Sequence, residues 1–147
     1  MQWPVFAILT AGCQLGRPPA QSYSLGAVYA TSPQPGLAAA IRESLATELA
    51  QRGGLGDGAM VQIQVVSADD DVQATQGGTQ LHRARLVIQV QTAGTQPRDV
   101  VLRGARTYTI SASAPLSAAA ARSDALEALA RELVQDAVEW LMYMEAP

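Results

Sequence analysis

The sequence predicts an α+β two-layer sandwich, with a four-stranded, mainly antiparallel sheet and two helices on one of its faces. Four segments alternate apolar and polar residues, which is typical of strands with one buried side. Two other segments repeat apolar residues every three or four positions, as amphipathic helices do. The 147 residues are 48% hydrophobic and 16% charged, which suits one domain with its own core and excludes a disordered chain. The segments follow the order β-α-β-β-β-α.

The spacing of apolar residues predicts the first strand and the first helix, because it is two residues in the strand and about four in the helix. In residues 22–31, the side chains at alternate positions are Tyr, Leu, Ala and Tyr, and a turn rich in Pro and Gly follows. From Leu37 to Arg52, leucine or isoleucine recurs at every fourth residue and forms one apolar stripe. Gly53 and Gly54 are expected to end this helix, because glycine tolerates positive φ.

Three further strands are predicted to form a meander. Residues 60–67 and 81–92 alternate aliphatic side chains with polar ones, and the polar segment 69–78 between them is expected to be a mobile hairpin loop. After a turn, residues 100–113 form the fourth strand, in which Gly104 is a candidate β-bulge. The alternation leaves one sheet face polar, so we expect this face to meet water, a partner or a ligand.

The last helix has its regular part at residues 124–144, after an Ala-rich segment that Pro115 opens. Glu127 and Arg131 form an i,i+4 pair on its polar side. Because one helix follows the first strand and the other follows the fourth, both can cover the same face of the sheet. The helix ends with four large apolar side chains that are either core or a contact patch for a partner: Trp140, Met142, Tyr143 and Met144.

The N-terminal dozen residues are apolar but too short to cross a bilayer, which takes about 20 apolar residues. They are typical of the apolar region of a secretory signal peptide. Residues 9–13, Leu-Thr-Ala-Gly-Cys, resemble the lipobox of bacterial lipoproteins, in which the cysteine is acylated and becomes the new N-terminus. This resemblance implies a signal peptide at residues 1–12, a lipidated tether at 13–21 and a single domain at 22–147. The alternative is that Cys13 is an inert thiol.

The composition excludes several classes of function. All ten basic residues are Arg, so the chain has no lysine for a P-loop, a Schiff base or a Ser–Lys pair. One His and one Cys supply neither a zinc cluster nor a disulfide framework, and they offer little for acid–base catalysis. A net charge of −3 argues against nucleic-acid binding. We therefore expect a binding protein that is not an enzyme and uses no cofactor or metal.

The candidate ligand-binding residues are three arginines that the strand pattern places on the polar sheet face: Arg83, Arg85 and Arg103. Guanidinium groups bind phosphate and carboxylate through paired hydrogen bonds, so this strip suits the phosphorylated head of an anionic glycolipid. The alternative is that all three are ordinary solvated charges. Arg106 falls on the apolar side, where a structural ion pair is expected. His82 stands alone in the sequence, and the aspartates at 69–71 are expected to lie in a solvated loop.

The pattern as a whole resembles the LptE family of lipopolysaccharide-assembly lipoproteins. The resemblance rests on the lipobox-like segment that ends at Cys13, the helix that follows Pro35-Gly36, the strands in meander order and the Ala- and Glu-rich last helix. It implies a protein anchored on the periplasmic side of the outer membrane, which plugs a large β-barrel protein, helps it fold and receives lipopolysaccharide. A Gln rather than an Asp after Cys13 is compatible with that membrane.

A second function stays open at this point. Another envelope lipoprotein of this size could serve as an accessory subunit of a secretion or transport machine, either pilotin-like or as an auxiliary of a lipid transporter. An α+β fold does not by itself decide between these functions, so the identity of the partner discriminates them.

Overall fold

The computed structural model describes residues 22–30, 36–94 and 96–143. The predicted signal peptide, the tether and Cys13 lie outside the described residues. Four strands and two helices follow one another in the predicted order: β1 (Tyr23–Ala30), α1 (Leu37–Gln51), β2 (Ala59–Gln76), β3 (Thr79–Ala93), β4 (Arg98–Ser111) and α2 (Pro115–Tyr143). The β-α-β-β-β-α prediction is therefore confirmed, and the fourth strand lies two residues earlier than expected.

The four strands form one sheet in the order β1-β2-β3-β4. β2, β3 and β4 are antiparallel neighbours, whereas β1 runs parallel to β2. A parallel pair needs a crossover connection, which α1 supplies between β1 and β2. The sheet is thus mixed, with one parallel and two antiparallel pairs: its mainly antiparallel character is confirmed, whereas the parallel β1–β2 pair was not predicted.

The β2–β3 hairpin corrects the prediction of a mobile loop at residues 69–78. β2 continues through this segment to Gln76, and the chain turns over Gly77 and Gly78, whose φ angles are 57° and 79°. Two consecutive residues with positive φ make the tight turn whose twist matches that of antiparallel strands. Asp has a low β propensity, but all three aspartates have cross-strand partners on β3, and this pairing outweighs the local preference.

Gly104 does not form the expected bulge in β4. β4 pairs with β3 without interruption along its whole length. A Cβ atom at Gly104 would lie 3.0 Å from Leu129 Cδ2 and 3.3 Å from Leu133 Cδ2 of α2. The missing side chain therefore allows α2 to pack closely on the sheet, which is a second ordinary reason for a glycine inside a strand.

Both helices cover the same face of the sheet, as predicted, and share one hydrophobic core with it. The apolar stripe predicted for α1 is buried throughout. This helix ends at Gln51, one residue earlier than predicted, and Gly53 follows with a φ of 69°. The apolar side of α2 is buried from Ala125 to Leu141, so both helices are held mainly by their contact with the sheet and with each other.

The large side chains at the end of α2 divide between the two expected roles. Trp140 and Met142 pack against the core, and the guanidinium of Arg98 lies 5.4 Å from the centre of the Trp140 ring. Tyr143 is 73% exposed, so it is not core. Met144 lies outside the described residues.

Candidate functional site

The sheet face that points away from the helices is the candidate binding surface, and we call it the open face. Directly opposite residues of antiparallel strands point to the same side, so the register defines this face. Gln62 pairs with Gln91, and Gln64 pairs with Gln89. Exposed apolar side chains lie beside these glutamines: Tyr29, Met60 and Val101. The open face is therefore mixed, whereas the alternation in the sequence predicted a polar surface.

The fold brings all three sequence-predicted arginines to the open face. Arg83 and Arg85 are alternate residues of β3, and Arg103 on β4 pairs with Val87, the next residue of the same row. Arg85 and Arg103 are diagonal neighbours across the two strands, a Cα separation of roughly 7–8 Å in such a sheet. These two arginines are therefore neighbours on the open face.

Two carboxylates lie next to these arginines, and the sequence prediction missed them. Asp69 pairs with Arg85 and Asp71 pairs with Arg83 across β2 and β3. The Nη2 atom of Arg85 donates a hydrogen bond of 3.0 Å to Oδ1 of Asp71, and both side chains are about half exposed. An exposed pair of this kind contributes little to stability, but it places a carboxylate against the Arg85 guanidinium.

Arg83 and Arg103 differ from Arg85 in their surroundings. Within the described residues, neither guanidinium makes a hydrogen bond or an ion pair with another side chain. Arg83 lines an open hollow of about 300 Å³, together with Gln73, Leu81 and Thr107 among others. Of the three arginines, Arg83 and Arg103 are thus the two that present an unpaired guanidinium group on the open face.

Arg106 lies on the opposite side of the sheet, as its position in the strand pattern predicted. Its Nη1 atom donates a hydrogen bond of 2.9 Å to Oε1 of Glu132 on α2. This is the structural ion pair expected from the sequence. Both side chains are about half exposed, so the pair is worth less than about 1 kcal/mol.

A second polar group lies on the helix side of the sheet, near the β2–β3 turn, and the sequence did not predict it. We call it the Asp70 cluster, and it consists of Asp70, His82, Tyr108 and Arg122. The hydroxyl of Tyr108 donates a hydrogen bond of 2.6 Å to Oδ2 of Asp70, and Nδ1 of His82 lies 3.2 Å from Oδ1. The rings of His82 and Tyr108 stack at 5.3 Å, and Nε of Arg122 lies 3.9 Å from Oδ2.

The Asp70 cluster corrects two expectations. Asp70 does not lie in a solvated loop, because its side chain is 12% exposed, and His82 does not stand alone. The sequence pattern did not reveal that Asp70 is buried, because β2 has a bulge between Val65 and Ser67. The bulge shifts the alternation of inward and outward side chains by one residue. After this shift, Asp70 points to the same side as Val65, toward the helices.

The electrostatics of the cluster favour a neutral Tyr108. Burial, and then the hydrogen bond to the Asp70 carboxylate, raise the pKa of the Tyr108 hydroxyl well above its usual value near 10. A phenolate would lie against a carboxylate of the same charge, so the hydroxyl stays protonated and donates its hydrogen bond to Asp70 over the whole physiological pH range. Its geometry is that of a structural hydrogen-bond network.

Two kinds of feature are absent from the described part of the chain. Among residues 22–30, 36–94 and 96–143, there is no group of three or more His, Cys, Asp or Glu side chains placed to hold a metal ion. In the same residues, neither α1 nor α2 is both long and apolar enough to cross a membrane.

The comparison with protein families is decisive. The model of the family described as lipopolysaccharide-assembly, LptE, matches residues 21–139, which is most of the chain. The chain belongs to the LptE family. The resemblance stated from the sequence is thereby confirmed. A search of curated proteins found no match for this LptE-family chain.

Solved structures are similar to this chain at low sequence identity. A protein from Xanthomonas campestris is 16% identical and has a TM-score of 0.52, with 85% of this chain and 88% of that chain covered. A minor lipoprotein from Acinetobacter baumannii is 16% identical, with a TM-score of 0.46 and coverages of 80% and 90%. The rare lipoprotein B from Shewanella oneidensis is 13% identical, with a TM-score of 0.42 and coverages of 82% and 92%. The first of these supports the fold of this LptE-family chain.

Proposed function

We propose that this LptE-family protein is a lipid-anchored accessory protein on the periplasmic side of the outer membrane. It assists the assembly of a β-barrel lipopolysaccharide translocon and plugs the barrel. The observation that carries the proposal is the family match over residues 21–139. In this role the protein acts by binding, without catalysis.

Cys13 is the proposed lipid attachment site. It is the single cysteine of the sequence, and it precedes Tyr23, the first residue of β1, by ten positions. Ten residues of extended chain span at most about 35 Å, so an acylated Cys13 would keep the domain close to the bilayer. Stable attachment takes more than one acyl chain, which lipidation of this type supplies.

The open face is the proposed contact with the barrel protein. Exposed apolar side chains such as Tyr29 and Val101 lie there among glutamines, and protein interfaces combine apolar area with hydrogen-bonding groups in this way. Arg83 and Arg103 are the proposed contacts with phosphate groups of lipopolysaccharide. The support for this assignment is that both guanidiniums lack a partner among the described residues, whereas Asp71 holds Arg85.

The proposed partner and anchor are tested together in the native cell. The full chain with a C-terminal affinity tag, and a Cys13→Ser control, are extracted from membranes in mild detergent and purified. We expect the unaltered chain to carry a diacylglycerol by mass spectrometry and to bring down a large outer-membrane β-barrel protein. The control should be unacylated and should leave the membrane fraction. Recovery with a secretion or lipid-transport subunit instead would favour the alternative function and contradict the present one.

The lipopolysaccharide contact has its own test. Purified lipopolysaccharide is the probe, and its binding is compared for the unaltered protein, the double variant Arg83→Gln/Arg103→Gln and the control Arg85→Gln. Each hydrogen bond to a charged group contributes about 1.5–3 kcal/mol, so the double variant should bind at least about tenfold more weakly. The control should change little, because Asp71 already occupies Arg85. Equal binding of lipopolysaccharide by all three proteins would contradict the assignment of Arg83 and Arg103 as phosphate contacts.

A further inference from the structure

The first part of α2 lies outside the hydrophobic core. From Leu116 to Asp124, every side chain is exposed or half-buried, and Ala125 is the first buried residue of the helix. Leu116 itself is 90% exposed. Burial of apolar surface therefore contributes little to holding this segment in place, although it holds the rest of α2 firmly. We call residues 115–124 the strap.

The two ends of the strap are fixed. Before it, the N–H of Ala112 donates a hydrogen bond of 2.8 Å to the carbonyl of Gly78 in the β2–β3 turn. After it, Ala125 and Leu126 enter the core. Ala-rich sequence keeps the strap helical between these points, but helix propensity does not attach it to the sheet.

The strap is joined to the sheet near its C-terminal end, through the Asp70 carboxylate. Nε of Arg122 is buried and makes no hydrogen bond, and it lies 3.9 Å from Oδ2 of Asp70. The same carboxylate accepts the hydrogen bond of Tyr108 and lies against His82. One carboxylate thus links side chains of all three antiparallel strands to the helix, and its loss affects every one of these contacts at once.

We propose that the Asp70 cluster is a latch, in which the Asp70 carboxylate holds the strap against the end of the sheet formed by the β2–β3 turn. Replacing this carboxylate by an uncharged group, or moving it away from Arg122, lets the strap open while the remainder of the domain stays folded. Opening ends at Ala125, because the helix beyond it is buried in the core. When the latch is released, the strap can move while the rest of α2 stays packed, and this motion depends neither on Cys13 nor on lipopolysaccharide.

Hydrogen exchange of the full chain, followed by mass spectrometry, tests the latch. The variants are Asp70→Asn, Arg122→Gln and the matched control Asp71→Asn, which removes a neighbouring carboxylate that faces the opposite side of the sheet. We expect Asp70→Asn to raise exchange at residues 118–124 by at least about tenfold, since it removes a carboxylate that accepts a hydrogen bond and faces Arg122. Arg122→Gln should raise it less, by up to about fivefold, since it removes only a partly exposed ion pair. Exchange at residues 126–141 should stay unchanged, and the control should match the original protein.

The double variant adds a test of coupling. If Arg122 acts through Asp70, then Asp70→Asn/Arg122→Gln should exchange no faster in the strap than Asp70→Asn alone. Unchanged exchange at residues 118–124 in the single variants would overturn the latch. Equal acceleration at 126–141 would overturn it too, because the cluster would then support the whole fold, and so would an equal effect of Asp71→Asn. Because the Arg122 side chain is 41% exposed, we expect Arg122→Gln to fold, and this variant tests the latch even if Asp70→Asn does not fold.

Discussion

The hydroxyl of Tyr23, at the start of β1, donates a buried hydrogen bond of 2.8 Å to the carbonyl oxygen of Leu141, near the end of α2. The last four carbonyl groups of a helix have no partner within the helix, and this bond satisfies one of them. It also joins the first strand to the last helix across 118 positions of the chain. The ring of Tyr23 is 1% exposed, so apolar burial and hydrogen bonding act at the same point.

Tyr23→Phe should therefore lower the free energy of unfolding by about 1–3 kcal/mol, because it leaves a buried carbonyl without its donor. Urea denaturation measures the change. Tyr29→Phe is the matched control, since Tyr29 is 55% exposed and its loss of a hydroxyl should have almost no effect. Equal stability of the Tyr23 variant and the control would show that the bond contributes nothing.

Gly104→Ala should destabilise the packing of α2 on the sheet. The new methyl group would lie 3.0 Å from Leu129 Cδ2, so the helix or the leucine must move, at a cost of about 1–3 kcal/mol. Gly94→Ala is the control, because its Cβ would meet Ala59 Cβ at an ordinary 3.5 Å. The prediction fails if the melting temperature of the Gly104 variant is no lower than that of the control.

The two-glycine turn of the β2–β3 hairpin should tolerate Asn better than Ala. Gly77 has a φ of 57°, and a left-handed conformation costs an Ala residue about 1–2 kcal/mol, whereas Asn adopts it more readily. We expect Gly77→Ala to lower the free energy of unfolding by about 1 kcal/mol and Gly77→Asn to change it less. Urea denaturation of both variants checks the order, and the reverse order would contradict the assigned turn.

Tyr108 should make the fold sensitive to alkaline pH. Burial and the Asp70 carboxylate raise the pKa of its hydroxyl in the folded state, while the unfolded state keeps the usual value near 10. Below pH 10 the Tyr108 hydroxyl is protonated in both the folded and the unfolded state, so its contribution to the free energy of unfolding is complete. Above pH 10 the unfolded state loses its proton first, and stability falls as pH rises toward the folded pKa.

The variant Tyr108→Phe isolates this alkaline effect. It lacks the titrating group, so the decline of its melting temperature above pH 10 should be shallower than that of the original protein, although its stability at pH 7 should be lower. Tyr143→Phe serves as the control, because Tyr143 is 73% exposed at the end of α2. Parallel declines for the Tyr108 variant and the original protein would show that Tyr108 does not carry the effect.

Local periodicity was sufficient to predict the architecture of this protein. The stripe from Leu37 to Leu49 can bury itself only as a helix, and alternation in the strands can bury one side only as a sheet. The polar side of that alternation also placed Arg83, Arg85 and Arg103 on one surface. These predictions depend on neighbours a few positions away, which a single sequence contains. The assignments of Cys13 and of the lipidated tether remain predictions.

Tertiary contacts decided the features for which sequence spacing carries no information. Asp71 forms an ion pair with Arg85 across two paired strands, and Leu129 requires the glycine at 104, because α2 packs on β4 at that point. The bulge after Val65 turned Asp70 inward, where Tyr108 and Arg122 surround its carboxylate. A one-residue shift in register exchanges the two sides of a strand, and cross-strand pairing, rather than local propensity, determines where that shift occurs.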